Sequence, residues 1–454
     1  MNLQLRRVAV LILLACTSCG GRSPTPVPVK LHPEKAPWPA WAWSHWVWED
    51  EENTQAATLQ LVKDYQAHDI PVSAVIIDSP WATCYSSFVF DPQRYPDPKK
   101  LVDQLHALGV RVMLWSVSAV NLDCDAYAEG VSKGTFLLDK AGGKPQIASW
   151  WKGNGSLIDY LNPAAVAWWH GKLDKVLDLE IDGWKVDGTD AYVGFGTSYS
   201  AAAAREVTRA EYAAQYYGDF FDYTRKRLGA DRIITGRPID NYGTGFDSPL
   251  AQFAPRDISF APWVGDQDAT FRGIKAALNN MYWSAVSNYV GSGSDVGGFR
   301  TEESEPLGRS KEVFIRWAQL GAFSPVFENG GGGEHRPWKF DAETESIYHN
   351  LVKRRLQLLD YMREAGGTAF TAGKSVLTFQ DQDHYAFLFG SDLFVAPILA
   401  SGGEVQIKFP AGEWIALDGE RRFKGGSTVT LTFKLSEYPA YVRAGSRLAR
   451  YLWP

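Results

Sequence analysis

The sequence has few of the residues that bind metals or react as thiols, with 4 Cys and 8 His among 454 residues. No group of them has the spacing of zinc ligands, so we expect no metal site. The G-x-S-x-G, H-E-x-x-H and Walker motifs are also missing from the sequence. These absences argue against nucleophile-elbow hydrolases, zinc proteases and P-loop nucleotide-binding proteins.

The sequence also lacks an excess of charge of one sign. Its formal net charge is −6 and it has no basic stripe, so nucleic acid is not an expected partner. A content of 45% hydrophobic and 22% charged residues is typical of a soluble globular protein and argues against a disordered or multi-span membrane protein. Aromatic residues are abundant, with 18 Trp, 20 Tyr and 23 Phe making up 13% of the chain. Such an excess requires a role in packing or in binding.

The N-terminal residues have the pattern of an export signal. An apolar run over 8–15 follows Arg6 and Arg7 and is far shorter than a membrane-spanning helix. The run ends in LLACTSCG at 13–20, which resembles a bacterial lipoprotein signal that is cut before a cysteine that becomes lipidated.

Either Cys16 or Cys19 fits the lipidated position, and the small residues before Cys19 favour that cysteine. We expect a lipoprotein-type signal over 1–19 and a proline-rich tether over 20–38. This pattern predicts an exported protein, periplasmic or on the cell surface, that contacts the membrane only through a lipid anchor. The alternative is an ordinary cleaved signal with incidental cysteines.

The two remaining cysteines, Cys84 and Cys124, form a candidate disulfide, because an even number of cysteines in an exported protein favours pairing. The bond would close a loop of about 40 residues and stabilise the fold by roughly 3 to 4.5 kcal/mol. Two unpaired thiols are the alternative.

The body of the chain alternates short β-rich runs with helical stretches, which predicts a parallel sheet covered by helices. Eight such units over 39–368 favour a (β/α)8 TIM barrel, with a doubly wound open sheet as the alternative. The candidate strands are 41–46, 73–78, 111–116, 182–187, 232–237, 257–262, 288–292 and 320–326. The candidate helices include 54–68, 98–108, 163–179, 201–228 and a long one near 343–364.

The pattern changes over 369–454, where short β-rich runs are separated by glycine-containing turns. This alternation predicts a C-terminal antiparallel β-sandwich domain. No repeat with a period of 20 to 50 residues is present, which argues against a solenoid or a propeller.

Several acids lie where predicted barrel strands end, and in a TIM barrel those ends meet at one mouth. They are Asp78, Asp187, Asp266 and Asp295, and Arg237 ends another strand. For any single one of these residues, a solvated loop position is an equally good interpretation.

A mouth with paired carboxylates and many aromatic rings suits glycoside hydrolysis, in which one carboxyl protonates the leaving oxygen and the other attacks or activates water. Lys185 lies two residues before Asp187 and faces the same side of the strand, where its charge would favour the ionised carboxylate. A purely structural ion pair is the alternative for Lys185. Packing inside the fold is the alternative for the candidate sugar-stacking rings, which are Trp81, Trp115, Trp184, Trp263 and Trp338.

A set of ordered motifs resembles glycoside hydrolase family 31, the α-glucosidase and α-xylosidase family. The nucleophile motif is matched by GWKVDGTD at 183–190 and the W-x-G-D acid/base motif by WVGD at 263–266. The other matches are FDP and YPDP within 90–98, LNP and WW within 161–169, SDVGGF at 294–299, RW and FSP within 316–325, GSDLFVAP at 390–397 and VRAGS at 442–446. Together they cover roughly residues 40 to 450.

The resemblance implies a retaining enzyme that cleaves a terminal α-linked sugar from an oligosaccharide or glycoside without a cofactor. Asp187 would be the nucleophile that forms a covalent glycosyl-enzyme. Asp266 would be the acid/base, and an apolar neighbour such as Trp263 would help it to hold its proton. Asp78, Arg237 and Asp295 match positions that bind the hydroxyls of the terminal sugar in this family. The two catalytic carboxyl groups are then expected about 5 to 5.5 Å apart.

The sequence departs from the family in several places. Fewer than 40 residues precede the barrel, where the family has a β-sandwich. Asp190 stands where Glu is usual, and Ser294 where His is usual. After FSPVF, the family's usual Arg and His are absent, and the candidates to rebuild the lost sugar contact are Glu328, Asn329 and His335. These departures leave α-glucose, α-xylose, α-galactose and an N-acetylated or acidic sugar open as substrates.

Two other functions remain open from the sequence. One is a glycan-binding surface lipoprotein that keeps the barrel without turnover, although the presence of both carboxylates favours an enzyme. The other is a transglycosylase, in which a sugar hydroxyl replaces water as the acceptor of the same intermediate.

Overall fold

The computed structural model describes residues 29–50, 52–188, 198–237, 255–258, 261–380 and 385–453. The expected signal, most of the expected tether, Cys16, Cys19 and Asp190 lie outside the described residues.

The barrel part begins with strands and helices in alternation. Its strands are β1 (His45–Glu49), β2 (Ala74–Ile77), β3 (Arg111–Val117), β4 (Ala119–Asn121), β5 (Ala148–Trp150), β6 (Gly153–Leu157), β7 (Gly183–Asp187), β8 (Ser198–Ser200), β9 (Arg205–Val207), β10 (Ile233–Gly236) and β11 (Phe327–Asn329). Its helices are α1 (Gln55–Ala67), α2 (Pro98–Ala107), α3 (Asp125–Lys133), α4 (Pro163–Leu177), α5 (Arg209–Leu228), α6 (Phe271–Val286), α7 (Lys311–Ala322) and α8 (Ala342–Thr371).

Six of these strands form a parallel sheet in the order β10-β7-β3-β2-β1-β11, and the others form two small sheets, β4-β6-β5 and β8-β9. Single parallel bridges continue this sheet beyond β11, first between Asp295 and Glu328 and then between Trp263 and Gly293. On the other edge, the Thr235 hydroxyl of β10 donates a hydrogen bond to the carbonyl of Ala261. The predicted TIM barrel is therefore confirmed. No strand forms over 288–292, and isolated bridges nearby take its place. Of the strand predicted at 257–262, residues 259 and 260 lie outside the described residues, and the described ones carry no strand.

Three predicted boundaries were wrong. The first strand begins at His45, because Ala40–Trp43 forms a 3-10 helix. The last strand begins at Phe327, because part of the apolar run at 320–326 is the final turn of α7, and periodicity cannot separate a strand from a helix over so few residues. Helix α5 begins at Arg209, where the Thr208 side chain accepts a hydrogen bond from the backbone N–H of Glu211.

Three of the predicted helices begin at capping signals that the sequence carries. Thr54, Asp97 and Asn162 cap α1, α2 and α4 by accepting a backbone N–H with their side chains. A proline stands at the start of both α2 and α4, where a missing N–H costs no helical hydrogen bond.

The C-terminal domain consists of antiparallel strands, as predicted. The elements are β12 (Leu377–Phe379), β13 (Phe387–Phe389), β14 (Leu393–Val395), β15 (Glu404–Lys408), β16 (Glu413–Ala416), β17 (Arg422–Lys424), β18 (Thr428–Thr432), β19 (Ala440–Arg443) and α9 (Arg447–Leu452). A six-stranded sheet has the order β12-β13-β14-β19-β16-β17, and a two-stranded sheet pairs β15 with β18. The rings of Phe394, Phe409, Trp414 and Tyr441 lie in the buried cluster of this domain.

Two arginines tie the barrel together and join it to the C-terminal domain. The buried guanidinium of Arg316, on α7, donates to the backbone carbonyls of Phe433, Lys434 and Glu437 over 2.9 to 3.1 Å. Arg355, fully buried on α8, donates to carbonyls that precede the two neighbouring strands β1 and β11, including those of Trp43 and Pro325. Neither guanidinium relies on a carboxylate alone. Hydrogen bonds to backbone carbonyls therefore offset much of the free-energy cost of burying each charge.

A disulfide links Cys84 and Cys124, whose Cα atoms are 5.7 Å apart. It joins the segment that follows β2 to the start of α3, just beyond β4. The segment between β2 and α2 is therefore held against the excursion of β4, α3, β5 and β6 that follows β3.

Candidate active site

A cavity of about 660 Å³ opens at the carboxyl ends of β2, β3, β7 and β10. Its wall is formed by acidic, basic and aromatic side chains from segments far apart in the sequence. The lining residues are Asp50, Asp78, Ser79, Pro80, Trp115, Trp151, Lys152, Lys185, Asp187, Arg237, Trp263, Asp266 and Phe299. This is the edge at which the eight strand-to-helix loops of a TIM barrel converge.

Two carboxylates contact one guanidinium inside this cavity. One terminal nitrogen of Arg237 lies 2.8 and 3.0 Å from the two carboxylate oxygens of Asp187. The other lies 3.2 Å from a carboxylate oxygen of Asp266. The side chain of Asp187 is 6% exposed and that of Asp266 25% exposed, so Asp187 lies deeper and Asp266 nearer the solvent.

Further donors fix the orientation of the Asp187 carboxylate. The backbone N–H of Gly188 donates to one oxygen at 2.8 Å, and the indole N–H of Trp115 to the other at 3.4 Å. Gly188 has a φ of +78°, and a Cβ there would lie 2.2 Å from the Val117 side chain, so only glycine fits this turn. The carboxylate is thus held by donors on several sides, as an anionic nucleophile requires.

Lys185 occupies the buried end of the cavity, but its partner is not the one that the sequence suggested. Its ammonium lies 3.0 Å from a carboxylate oxygen of Asp78 and 3.6 Å from the centroid of the Trp48 ring. The expectation that Lys185 serves as the cation for Asp187 was therefore wrong, because Arg237 fills that position. Burial of Lys185 lowers its pKa, but the charges of Asp78, Asp295 and Glu328 outweigh burial and raise it.

Asp295 and Glu328 are both fully buried and pair across the single bridge that continues the sheet. None of their four carboxyl oxygens has a hydrogen-bond partner in the described part of the chain. Burial raises the pKa of Asp295 well above its usual range and that of Glu328 to about 7, while the charge of Lys185 opposes both shifts. Because one cation does not compensate two buried anions, the pair of Asp295 and Glu328 keeps at least one proton near neutral pH.

Replacing Glu328 by glutamine is expected to change how stability depends on pH. The folded state keeps the Glu328 proton up to about pH 7, whereas the unfolded chain releases it near 4.5. The Glu328 contribution to the free energy of unfolding is therefore present at low pH and lost as the pH rises through this window. Glutamine cannot ionise, so the stability of Glu328→Gln relative to wild type should rise between pH 5 and pH 8.

Urea unfolding at pH 5, 6, 7 and 8 measures this difference. The exposed Glu303→Gln serves as the control and should follow the wild-type pH dependence. A constant difference between Glu328→Gln and wild type at all four values would contradict the raised pKa.

The structure gathers seven of the sequence-predicted site residues around the cavity, namely Asp78, Trp115, Lys185, Asp187, Arg237, Trp263 and Asp266. Asp295 and Glu328 are not in the wall, although their charges act on Lys185.

Two other predicted sugar-contacting residues, besides Asp295 and Glu328, also lie outside the cavity wall. Trp81 is buried beside it, with its indole N–H donating to the carbonyl of Trp115 at 2.7 Å. His335 is also buried, with its ring nitrogens 3.2 Å from the side-chain oxygen of Asn329 and from the carbonyl of Gly332.

Two further tryptophans that were considered for sugar stacking face other parts of the fold. Trp184 is fully buried and its indole N–H donates to the hydroxyl of Thr224 on α5. Trp338 stacks against His68, with ring centroids 4.3 Å apart. Both rings therefore have packing roles.

Trp48 was not predicted as a site residue, and its ring packs against Gly330 in the segment that follows FSPVF. A Cβ at Gly330 would lie 2.4 Å from ring atoms of Trp48, so no side chain can stand there while Trp48 keeps its position. Trp48 also provides the face over which the Lys185 ammonium lies. The only sequence signal was the alternation of Trp46 and Trp48 on β1, which by itself indicates no more than packing.

Trp151 and Lys152 were also missed, as were Asp50 and Phe299. Trp151 and Lys152 form the tip of the hairpin between β5 and β6, an element that was not predicted. In the described residues, no helix has the length and apolar character needed to cross a membrane, and no cluster of three or more potential ligands could hold a metal ion.

A barrel with carboxylates and an arginine around one cavity at the carboxyl ends of its strands defines the class of barrel enzymes that use acid–base chemistry. Residues 35–365 match the model of the glycosyl hydrolases family 31 TIM-barrel domain, and residues 370–448 match that of the family 31 C-terminal domain. The chain therefore belongs to glycoside hydrolase family 31, which confirms the resemblance found in its motifs.

Relatives with known activities are similar over most of the chain. An isomaltosyltransferase from Sporosarcina globispora is 25% identical over 90% of this chain and 41% of its own length. The α-xylosidase XylQ from Lactiplantibacillus pentosus is 25% identical over 91% of this chain and 54% of its own length. The chain thus spans about half the length of these relatives.

A solved structure shares the fold. The cycloalternan-forming enzyme from Listeria monocytogenes superimposes with a TM-score of 0.79 at 22% identity, covering 92% of this chain and 42% of that enzyme. At this level of identity, the likeness supports the fold alone.

Proposed function

We propose that this protein is a retaining α-glycoside hydrolase that removes a terminal α-linked sugar through a covalent intermediate on Asp187. The observation that carries the proposal is the contact of Asp187 and Asp266 with the two ends of the Arg237 guanidinium. This contact keeps both carboxyl groups on one side of the cavity, as a two-carboxylate mechanism requires.

The reaction proceeds in two displacements at the anomeric carbon. In the first, an oxygen of Asp187 forms a bond to this carbon while the bond to the leaving oxygen breaks and that oxygen takes the proton of Asp266. In the second, water attacks the same carbon, gives a proton to Asp266 and releases Asp187. The greater exposure of Asp266 supports this division of roles, because the leaving group and the water both pass on its side.

The cavity supports attack at a chain end. Its inner end holds the buried pair of Asp78 and Lys185, which offers a carboxylate and an ammonium to the hydroxyls of one sugar ring. Trp115 and Trp263 add aromatic surface to the wall. A closed polar end accepts one terminal sugar and excludes continuation of the chain beyond it.

A panel of aryl α-glycosides tests the proposal with wild type and Asp187→Ala. The panel contains α-glucoside, α-xyloside, α-galactoside and α-N-acetyl-sugar substrates, and the anomer first released is read by NMR. We expect wild type to cleave at least one substrate with retention and Asp187→Ala to cleave none. Binding without turnover would instead support a glycan-binding protein, and inversion would contradict the covalent intermediate.

Transfer to a sugar is a second outcome of the same intermediate, and the likeness to an isomaltosyltransferase supports testing it. Product analysis at rising concentrations of an acceptor disaccharide separates the two activities. Hydrolysis predicts free sugar as the main product, whereas transfer predicts longer oligosaccharides.

We also propose that the protein is exported and anchored by a lipid at Cys19 or Cys16. The proposal rests on the motif at 13–20 and on the proline-rich segment that follows it. Labelling with a fatty-acid probe in cells measures lipidation. We expect loss of the label in either Cys19→Ala or Cys16→Ala. Retained label in the double variant would contradict lipidation.

A further inference from the structure

The hairpin between β5 and β6 places an exposed tryptophan at the rim of the catalytic cavity. Trp150 pairs with Gly153, so that Trp151 and Lys152 form the two-residue tip. The Trp151 side chain lines the same cavity as Asp187 and Asp266. Trp151 is 43% exposed, which leaves a large apolar ring in contact with water.

The tip is held in place from below. The side-chain oxygen of Asn121 accepts the indole N–H of Trp150 at 2.8 Å, and its amide nitrogen donates to the carbonyl of Lys152 at 3.1 Å. The buried Trp150 ring packs edge-on against Tyr85, with centroids 4.8 Å apart. Gly153, at a φ of +124°, allows the sharp return of the strand. The exposed ring therefore stands on a preorganised support, as binding surfaces do.

Lys152 places the tip at the junction of two cavities. It lines the catalytic cavity and also a smaller one of about 240 Å³, which shares Ser79, Pro80 and Trp115 with the first. Among the described residues, its ammonium has no carboxylate within salt-bridge distance. The Lys152 ammonium can thus donate a hydrogen bond to a ligand, and it lies next to the exposed ring of Trp151.

We propose that Trp151 and Lys152 form the subsite for the sugar ring next to the cleaved bond, on the leaving-group side. The Trp151 ring packs on the C–H face of a neutral pyranose, and the Lys152 ammonium donates to one of its hydroxyls. Exposure supports this side, because the exposed Trp151 stands at the rim while the buried pair of Asp78 and Lys185 occupies the inner end. Asp266 is also the more exposed of the two carboxyl groups. This assignment rests on the proposed function, since it needs a terminal sugar bound between Asp187 and Asp266.

The test compares substrates with and without a second sugar. An α-glycosyl fluoride has no leaving sugar, while isomaltose, melibiose and isoprimeverose carry glucose as the leaving group from glucose, galactose and xylose respectively. For the terminal sugar that the aryl panel selects, Trp151→Ala should lower kcat/KM for the disaccharide about tenfold, since a lost aromatic contact costs about 1.4 kcal/mol. The value for the matching fluoride should not change.

Two variants serve as controls. Trp151→Phe keeps an aromatic face and should retain most of the disaccharide activity. Trp453→Ala removes another exposed tryptophan, far along the sequence in the C-terminal domain, and should behave as wild type with both substrates. Equal losses on fluoride and disaccharide, or no loss on either, would overturn the assignment.

A binding measurement separates this proposal from the proposed function. If wild type cleaves none of the fluorides or disaccharides, the proposed function fails. Calorimetry with the three disaccharides then tests the subsite by itself. We expect at least one disaccharide to bind about tenfold more weakly to Trp151→Ala than to wild type. Equal binding of all three by both proteins, or binding of none by wild type, would overturn it.

Discussion

Replacing Asp187 by asparagine is expected to lower kcat for α-glycoside cleavage by on the order of 10⁴-fold. The amide keeps the size of the side chain and can still accept from Gly188 and Arg237, but it cannot form the glycosyl ester. Steady-state rates on the best substrate of the aryl panel measure this loss.

A mass measurement identifies the residue that carries the sugar. A fluorinated α-glycosyl fluoride, whose second displacement is slow, should load wild type with one sugar on the peptide that contains Asp187. Asp187→Asn should acquire none. Asp178→Asn, which changes an exposed acid at the end of α4, is the matched control and should load as wild type. Label on any other peptide would contradict the assignment of the nucleophile.

Replacing Asp266 by asparagine should reveal the acid/base by its dependence on the leaving group. Because Asp266 supplies the proton to the leaving oxygen, kcat/KM for disaccharides should fall by roughly 10² to 10⁴-fold. An aryl leaving group of low pKa, such as dinitrophenolate, departs without a proton, so kcat/KM for such substrates should fall far less.

Azide provides a second measurement on the same variant. It needs no general base, so it should raise kcat of Asp266→Asn on the activated substrate and give an α-glycosyl azide. Asp268→Asn, two residues further on and paired with Arg300 at the surface, is the control and should show neither effect. An equal loss on both kinds of leaving group, without azide rescue, would contradict the role of Asp266.

The central strands of the barrel could be predicted because their signal is local. The runs that form β2 and most of β3 are continuous and apolar, which is typical of strands buried on both faces of a parallel sheet. The runs of β7 and β10 mix bulky apolar residues with polar residues and glycine. Around Trp263 and Asp295 the barrel depends on single bridges. Such positions carry no run of residues from which a strand could be predicted.

The ion pairs at the site could not be predicted from the sequence, because they depend on contacts across the barrel. Lys185 lies two residues from Asp187, yet it pairs with Asp78, which is 107 residues away in the sequence. The spacing correctly placed Lys185 and Asp187 at one cavity, but it could not decide between the carboxylates there. Trp151 was missed for a similar reason, because contacts with Asn121, about 30 residues away in the sequence, hold the hairpin whose tip lines the cavity.

The Arg316 side chain has a consequence for how the molecule folds. Its guanidinium is buried at the junction of the two domains, and three of its acceptors belong to the C-terminal domain. If that domain came apart from the barrel, the guanidinium would exchange these acceptors for water and lose about 1.5 to 3 kcal/mol of net stabilisation for each hydrogen bond. Since α7 leads directly into β11, which carries Glu328, the same event would disturb the protein around Lys185. We therefore expect calorimetry to show a single unfolding transition for the barrel and the C-terminal domain, rather than a separate transition for each.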